Sequence, residues 1–362
     1  YLARQPVLLD ELIAPHSNDL PDWKQLQAEL HEQLEASSDS PERQMDLLRH
    51  FKHAQTFRLL AVDLAGAIDL EALSDHLSAL AAVLLDETLQ FVWRSLRQRH
   101  RDNPQFSIIG YGKLGGKELG YASDLDIIFL YDDDDEHASE IYGRLAQRIN
   151  TWLTSTTAAG VLYETDLRLR PNGAAGLLVS NIEAFRDYQL KQAWVWEHQA
   201  LTRARAVCGD ADIGAGFEQI RIDVLTHSRE PDSLRTEVVN MRQKMRDGHP
   251  NTSELFDLKH DIGGIVDVEF IVQYLVLGYA ANYPRLTANI GNLALLNLAA
   301  ELDLIPRDLA KSVVDAYRLF RARQHALRLQ GERYARLDLA EVRNEVGSVV
   351  KLWSWVFDDH NA

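Results

Sequence analysis

The sequence predicts an α+β protein in which a sheet domain lies between an N-terminal helical segment and a C-terminal helical bundle. Three observations carry that expectation. Apolar residues recur at three- and four-residue spacing from Asp39 to Leu96. After the polar, basic stretch RQRHRDNPQ the chain turns abruptly to short runs rich in Ile, Phe and Tyr. Beyond about Ser233 the helical period returns and lasts to the end. At 362 residues the chain exceeds what one core usually supports, and the expected domains are 1–100, 101–232 and 233–362.

In the first segment Gly66 divides the helical run in two, with Asp69 as N-cap of the second helix and Glu71 in its first turn, where the helix dipole favours a negative charge. Strands are expected over 106–111, 125–131 and 162–169, with a helix over about 140–159 between the last two. In the third segment helices are expected over 264–280, 289–301, 306–330 and 339–357, Pro306 suiting a first helical position. No internal repeat is visible, and the only low-complexity tract is Asp132 to Glu136.

Composition excludes several classes of function. A net charge of −16 repels a phosphate backbone, so nucleic acid is not an expected partner. Cys208 is the only cysteine, which rules out an intrachain disulfide and a thiolate zinc site and points to a reducing cytoplasmic setting. No apolar run is long enough for a membrane helix, and the polar start carries no signal pattern. A chain that begins at Tyr1 is expected to be a piece of a longer one.

The informative stretch is 106–136, FSIIGYGKLGGKELGYASDLDIIFLYDDDDE. As a Walker A loop it fails, because Tyr111 and Glu118 stand where a glycine and a magnesium-binding hydroxyl are needed. Gly110, Gly112 and Gly115 match the dinucleotide pattern G-x-G-x-x-G, and Asp132 lies where a ribose-binding acid would. Yet only 116–123 separate Gly115 from the next strand, too few residues for a helical crossover. A third reading takes Gly115-Gly116 as a phosphate-facing turn followed by Ser123 and a strand whose alternation sets Asp124 and Asp126 on one face. Paired carboxylates call for a hard cation, magnesium or manganese. Alternation in LYETDLRLR puts Glu164, Asp166, Arg168 and Arg170 on one face of another strand, so Asp166 can join the pair if the strands are neighbours. Three carboxylates can hold two ions against the phosphates of a nucleotide, the chemistry of nucleotidyl transfer.

G-G, then D-x-D on a strand, then a distant Asp resembles the polymerase-β-like nucleotidyltransferases. The longer strings GKLGGKELGYASDLDIIFLYD and ETDLRLRPNG resemble the C-terminal adenylylating domain of the glutamine synthetase adenylyltransferases. RHFKHAQTFRLLAVDLAG resembles their helical lead-in, and FDLKHDIGGIVDVEFIVQYLVL the helical domain shared with PII uridylyltransferases. The resemblance implies Asp124, Asp126 and Asp166 as ligands of Mg2+, and Gly115, Gly116 and Ser123 as the triphosphate cradle. Arg168 and Arg170 suit phosphate, since a planar guanidinium binds two oxygens at once, although a salt bridge to Glu164 or the acidic run weighs equally. It further implies attack of a glutamine synthetase tyrosine on the α-phosphorus of ATP, aided by Asp166, with the PII signal protein and glutamine as regulators. The removing half of the same bifunctional enzyme, a uridylyltransferase, and a binding module with a remnant site are the rivals.

Lesser signals read more plainly. Asp132 to Glu136 fits a solvated loop, and His260-Asp261 lacks the further histidines of a metal phosphohydrolase, with only His249 nearby. Lys259, Asp267 and Glu269 at a helix entry fit either a nucleotide contact or salt bridges at a domain interface. Trp194 and Trp196 have spacing that favours packing.

Overall fold

A computed structural model describes residues 20–358. The described chain divides into two compact units, one made of 20–185 and 205–217 and the other of 186–204 and 218–358.

The first unit opens with three helices, α1 (Trp23–Glu35), α2 (Pro41–Leu64) and α3 (Leu70–Ser95), each begun by a side chain that accepts an orphan backbone N–H: Asp22, Ser40 and Asp69. Asp69 accepts from the Ala72 N–H at 2.8 Å, and Gly66, at φ +68°, ends α2 as the sequence predicts.

The sheet follows from β1 (Phe106–Gly110), a one-turn helix α4 (Gly112–Gly115), β2 (Leu125–Tyr131), α5 (Ala138–Thr154), β3 (Thr165–Asp166), β4 (Val179–Asn181) and β5 (Arg205–Gly209). β2 is central: β1 lies antiparallel along one edge, and the other edge is shared by β3 and β4, both parallel to it. β5 extends the sheet beyond β1. The parallel step from β2 to β3 runs through α5, the crossover such a pairing needs. β2 is buried on both faces and so reads as an apolar run, with Asp126 and Tyr131 the half-buried exceptions.

The strand expected over 162–169 contracts to the two residues of β3. Upstream, the Leu162 and Tyr163 N–H groups both donate to the Leu153 carbonyl, at 3.1 and 3.0 Å; downstream, the Arg168 N–H turns back onto Asp166 Oδ1 at 2.8 Å. Both ends are thereby withdrawn from the ladder. The helix expected to 159 stops at Thr154, where Ser155 becomes extended.

α2 braces the connection that leads to Asp166. Arg49 is fully buried and donates to the carbonyls of Gly160, Met45, Trp152 and Ser155 at 2.7, 2.8, 2.8 and 2.6 Å. One turn later Lys52 donates to the Leu162 carbonyl and lies 3.9 Å from the centre of the Tyr163 ring, while His53 bonds the Ala159 carbonyl at 3.1 Å. Burial lowers the Lys52 ammonium to about 8, and the neighbouring Arg49 charge adds to that. Arg49→Ala should therefore destabilise the protein by about 3 kcal/mol, since it strands buried carbonyls that now accept charge-assisted hydrogen bonds. Chemical denaturation measures this, and a loss near zero would show that the brace carries no weight.

The second unit is helical apart from the ribbon of β6 (Phe256–Asp257) and β7 (Arg336–Leu337). Helices α6 (Ile182–Lys191) and α8 (Ala211–Leu225) each carry residues of both units, and α7 (Val195–Leu201) lies between them in sequence. Then come α9 (Pro231–Asp247), α10 (Ile265–Tyr279), α11 (Asn292–Glu301), α12 (Arg307–Leu329) and α13 (Arg343–Phe357). The last four match the expected helices to within a few residues at each end, with Pro306 as N-cap rather than first helical residue. α10 is buried almost all round, as its apolar sequence requires. Among the described residues no helix is long and apolar enough to cross a membrane.

Candidate active site

Asp126 and Asp166 are register partners on the adjacent parallel strands β2 and β3, and Asp124 stands just before β2. Neighbouring strands lie under 5 Å apart, so two carboxylates in register crowd like charges together unless a cation intervenes. The cation here is a side chain. Arg168 Nε donates to both Asp166 oxygens, at 3.0 and 2.9 Å, and its Nη2 donates to Oδ2. This guanidinium holds the Asp166 carboxyl below the ordinary range; in return Asp166 first, then Asp126 and Asp124, hold Arg168 in its charged form. All three predicted carboxylates thus act on one point, where an exposed arginine head now sits.

Among the described residues no three acidic, imidazole or thiol groups close round a common centre as they would round a bound ion. The donors are nevertheless of the kind a hard divalent ion takes: carboxylate oxygens only, from Asp126 and Asp166 in register on adjacent strands and from Asp124 just before one of them.

Gly115 and Gly116 close the single turn of α4, and their N–H groups donate within it to the Tyr111 and Gly112 carbonyls at 2.9 and 3.0 Å. Ser123 Oγ accepts from the Gly120 N–H at 3.0 Å and so fixes the loop before Asp124. Arg170 donates to the carbonyls of Gly176, Leu167 and Ala174 at 3.2, 2.6 and 3.1 Å, and among the described residues it forms no salt bridge to Glu164 or the acidic run.

The glycine that matters most to the carboxylates is Gly112, which the sequence reading treated only as part of a dinucleotide pattern. It sits at φ +54°, and a Cβ there would lie 2.3 Å from Asp126 Oδ2. The Tyr111 N–H donates to the Asp126 carbonyl at 2.8 Å, so the turn is pinned to the strand at the residue just before the glycine. Gly112→Ala should cost about 1–3 kcal/mol in backbone strain alone and should displace the Asp126 carboxylate. Gly143→Ala, at a helical position with nothing within 4 Å, should be neutral or slightly stabilising. Thermal unfolding of both variants checks this, and equal melting temperatures would remove the claim.

Other singled-out residues serve the second unit's own structure. Asp267 pairs with Arg242, both buried, and Glu269 pairs with Arg203 at 2.7 Å. The Lys259 N–H donates to Asp257 Oδ1 at 2.9 Å. His249 does meet His260, in a parallel stack with ring centres 4.3 Å apart, a geometry that turns the ring nitrogens away from a shared ion. Trp194 and Trp196, expected to pack, are 68% and 38% exposed; α7 buries Glu197, Gln199 and Leu201 instead, with Glu197 Oε2 accepting from the Trp194 N–H at 2.9 Å.

The family model described as glutamate-ammonia ligase adenylyltransferase matches residues 1–220, and that described as PII-uridylyltransferase matches 235–350. Curated relatives named bifunctional glutamine synthetase adenylyltransferase/adenylyl-removing enzyme align along the whole chain. The protein of Aromatoleum aromaticum is 58% identical over 99% of this chain and 38% of its own length. Those of Nitrosomonas eutropha and Chromobacterium violaceum are each 56% identical over 99% of this chain and 40% of their own. The chain spans about two fifths of the length of these relatives.

Proposed function

Because this chain belongs to the glutamate-ammonia ligase adenylyltransferase family, we propose that it transfers AMP from ATP to a tyrosine of glutamine synthetase, releasing pyrophosphate. The observation that carries the reading is the register of Asp126 with Asp166, with Asp124 adjoining. We assign the reaction to the domain 101–232, with Asp124, Asp126 and Asp166 holding Mg2+. When bound, the ion would neutralise the triphosphate and the charge that develops on the attacking and leaving oxygens.

The chain's own residues would do the rest. Arg168 leaves Asp166 and turns its guanidinium to the phosphates, a planar fork exchanging one oxyanion pair for another. Asp166, released from that guanidinium, takes the tyrosine proton. Gly115, Gly116 and Ser123 shape the loop against the triphosphate, and Arg170 fixes the segment 167–176 behind it. Glutamine synthetase is the protein substrate in this reading, PII and glutamine are regulators of the longer enzyme, and the setting is cytoplasmic.

ATP and Mg2+ together should raise the melting temperature more than either alone, because each completes the other's coordination. NAD without metal should do nothing. Equal stabilisation by NAD would restore the dinucleotide reading.

A further inference from the structure

The second unit contains a cavity of about 240 Å³ between α9, α13 and the turn before α10, remote in sequence from the carboxylates of the sheet. Its polar wall is Arg242, Gln243 and Arg246 on α9. Arg242 is 5% exposed and places its Nε on Asp267 and its Nη2 on the His260 carbonyl at 2.8 Å, while its Nη1 is buried with no acceptor. An orphaned guanidinium N–H beside a cavity is a standing demand for an oxyanion.

The charges agree. Asp267 is the only carboxylate of the lining, and it is spent on Arg242 and on the Gly263 N–H at 2.6 Å. Arg246 donates only to the neutral amide of Gln243, so the wall carries one uncompensated positive charge. The rest of the lining is apolar: Val239 on the same face of α9, and Ile262, Val350 and the indole of Trp353 from the neighbouring elements.

We propose that this cavity is a binding site for a small monocarboxylate with an apolar tail, its carboxylate on Arg242 and Arg246 and its tail against Trp353. The volume equals that of about eight waters, at roughly 30 Å³ each, which is room for a small acid such as butyrate. No carboxylate of the lining is left to receive an ammonium, so an amino acid of the same length fits worse. Phosphate would satisfy the guanidiniums and leave the apolar wall unfilled. Occupancy reaches the neighbouring elements directly, because Arg242 and Asp267 tie α9 to the start of α10 and to the His260 turn.

The test is calorimetric titration of the 362-residue chain with butyrate, 2-aminobutyrate and inorganic phosphate, each repeated on two variants. Val239→Phe fills the cavity and leaves the Arg242–Asp267 pair intact. Arg246→Met removes the uncompensated charge and keeps the stem. Arg242 itself is left alone, since its loss would bury an unpaired Asp267. Butyrate should bind saturably, with the other two at least about tenfold weaker and each variant at least about tenfold weaker for butyrate at unchanged melting temperature. If one variant fails to fold, the other decides. No saturable butyrate binding, phosphate or 2-aminobutyrate binding as tightly as butyrate, or unchanged affinity in a folded variant overturns the assignment.

Discussion

Asp126→Asn is expected to lower AMP transfer by on the order of a thousandfold or more, because it withdraws the central carboxylate from an ion that supplies several kcal/mol of transition-state stabilisation. Asp124→Asn should behave alike. Neither should weaken the fold. Asp126 stands beside Asp166 on the neighbouring strand and against Gly112, where a neutral amide of the same shape relieves like-charge repulsion. The combination separates this account from a structural role, in which activity and stability would fall together. Transfer assays and melting curves on the same preparations measure both. A variant near wild-type activity would end the metal-ligand assignment, and one that unfolds would mean that these carboxylates serve the sheet.

The second large effect is one of direction. The relatives' name joins two opposed activities, adding and removing AMP, and this chain spans about two fifths of their length. Its sequence carries one acidic set of the expected kind, the D-x-D that opens a strand with one distal aspartate: Asp124, Asp126 and Asp166. One such set holds one reaction centre. The wording GKLGGKELGYASDLDIIFLYD resembles the adding half, and on that reading we expect the chain to modify glutamine synthetase and not to release ADP from the adenylylated protein given phosphate, whatever the state of PII. Incubation of adenylylated substrate with phosphate and magnesium, followed by chromatography for ADP, measures it. Robust ADP without net AMP incorporation would mean that the removing half is in hand.

Where periodicity runs long, the sequence was sufficient. The break at Gly66, the cap at Asp69 and the helices from 265 onward appear within a few residues of expectation, because each rests on many repeats of an apolar stripe or on a cap with a single chemical role. Short elements escaped. β4 and β5 have three and five residues, and β3 has two, so alternation had too little length to speak and tertiary hydrogen bonds set their ends. The carboxylates were legible as a pattern, and their neighbours less so. Nothing local in the sequence says that Gly112 lies against Asp126, that Arg168 clasps Asp166, or that Arg170 faces the loop carbonyls. Those are long-range or turn-specific facts. The brace of Arg49 had a signal in hindsight: a cationic residue on the inner stripe of an apolar helix calls for several buried acceptors.

One measurement bears most directly on the central claim: the chain is incubated with unmodified glutamine synthetase, magnesium and ATP labelled on either the α- or the γ-phosphorus, and the label on the protein is counted. The α-label should appear on a tyrosine of glutamine synthetase and the γ-label should leave as pyrophosphate. Incorporation of the γ-label, or none from ATP where UTP succeeds, would contradict the account.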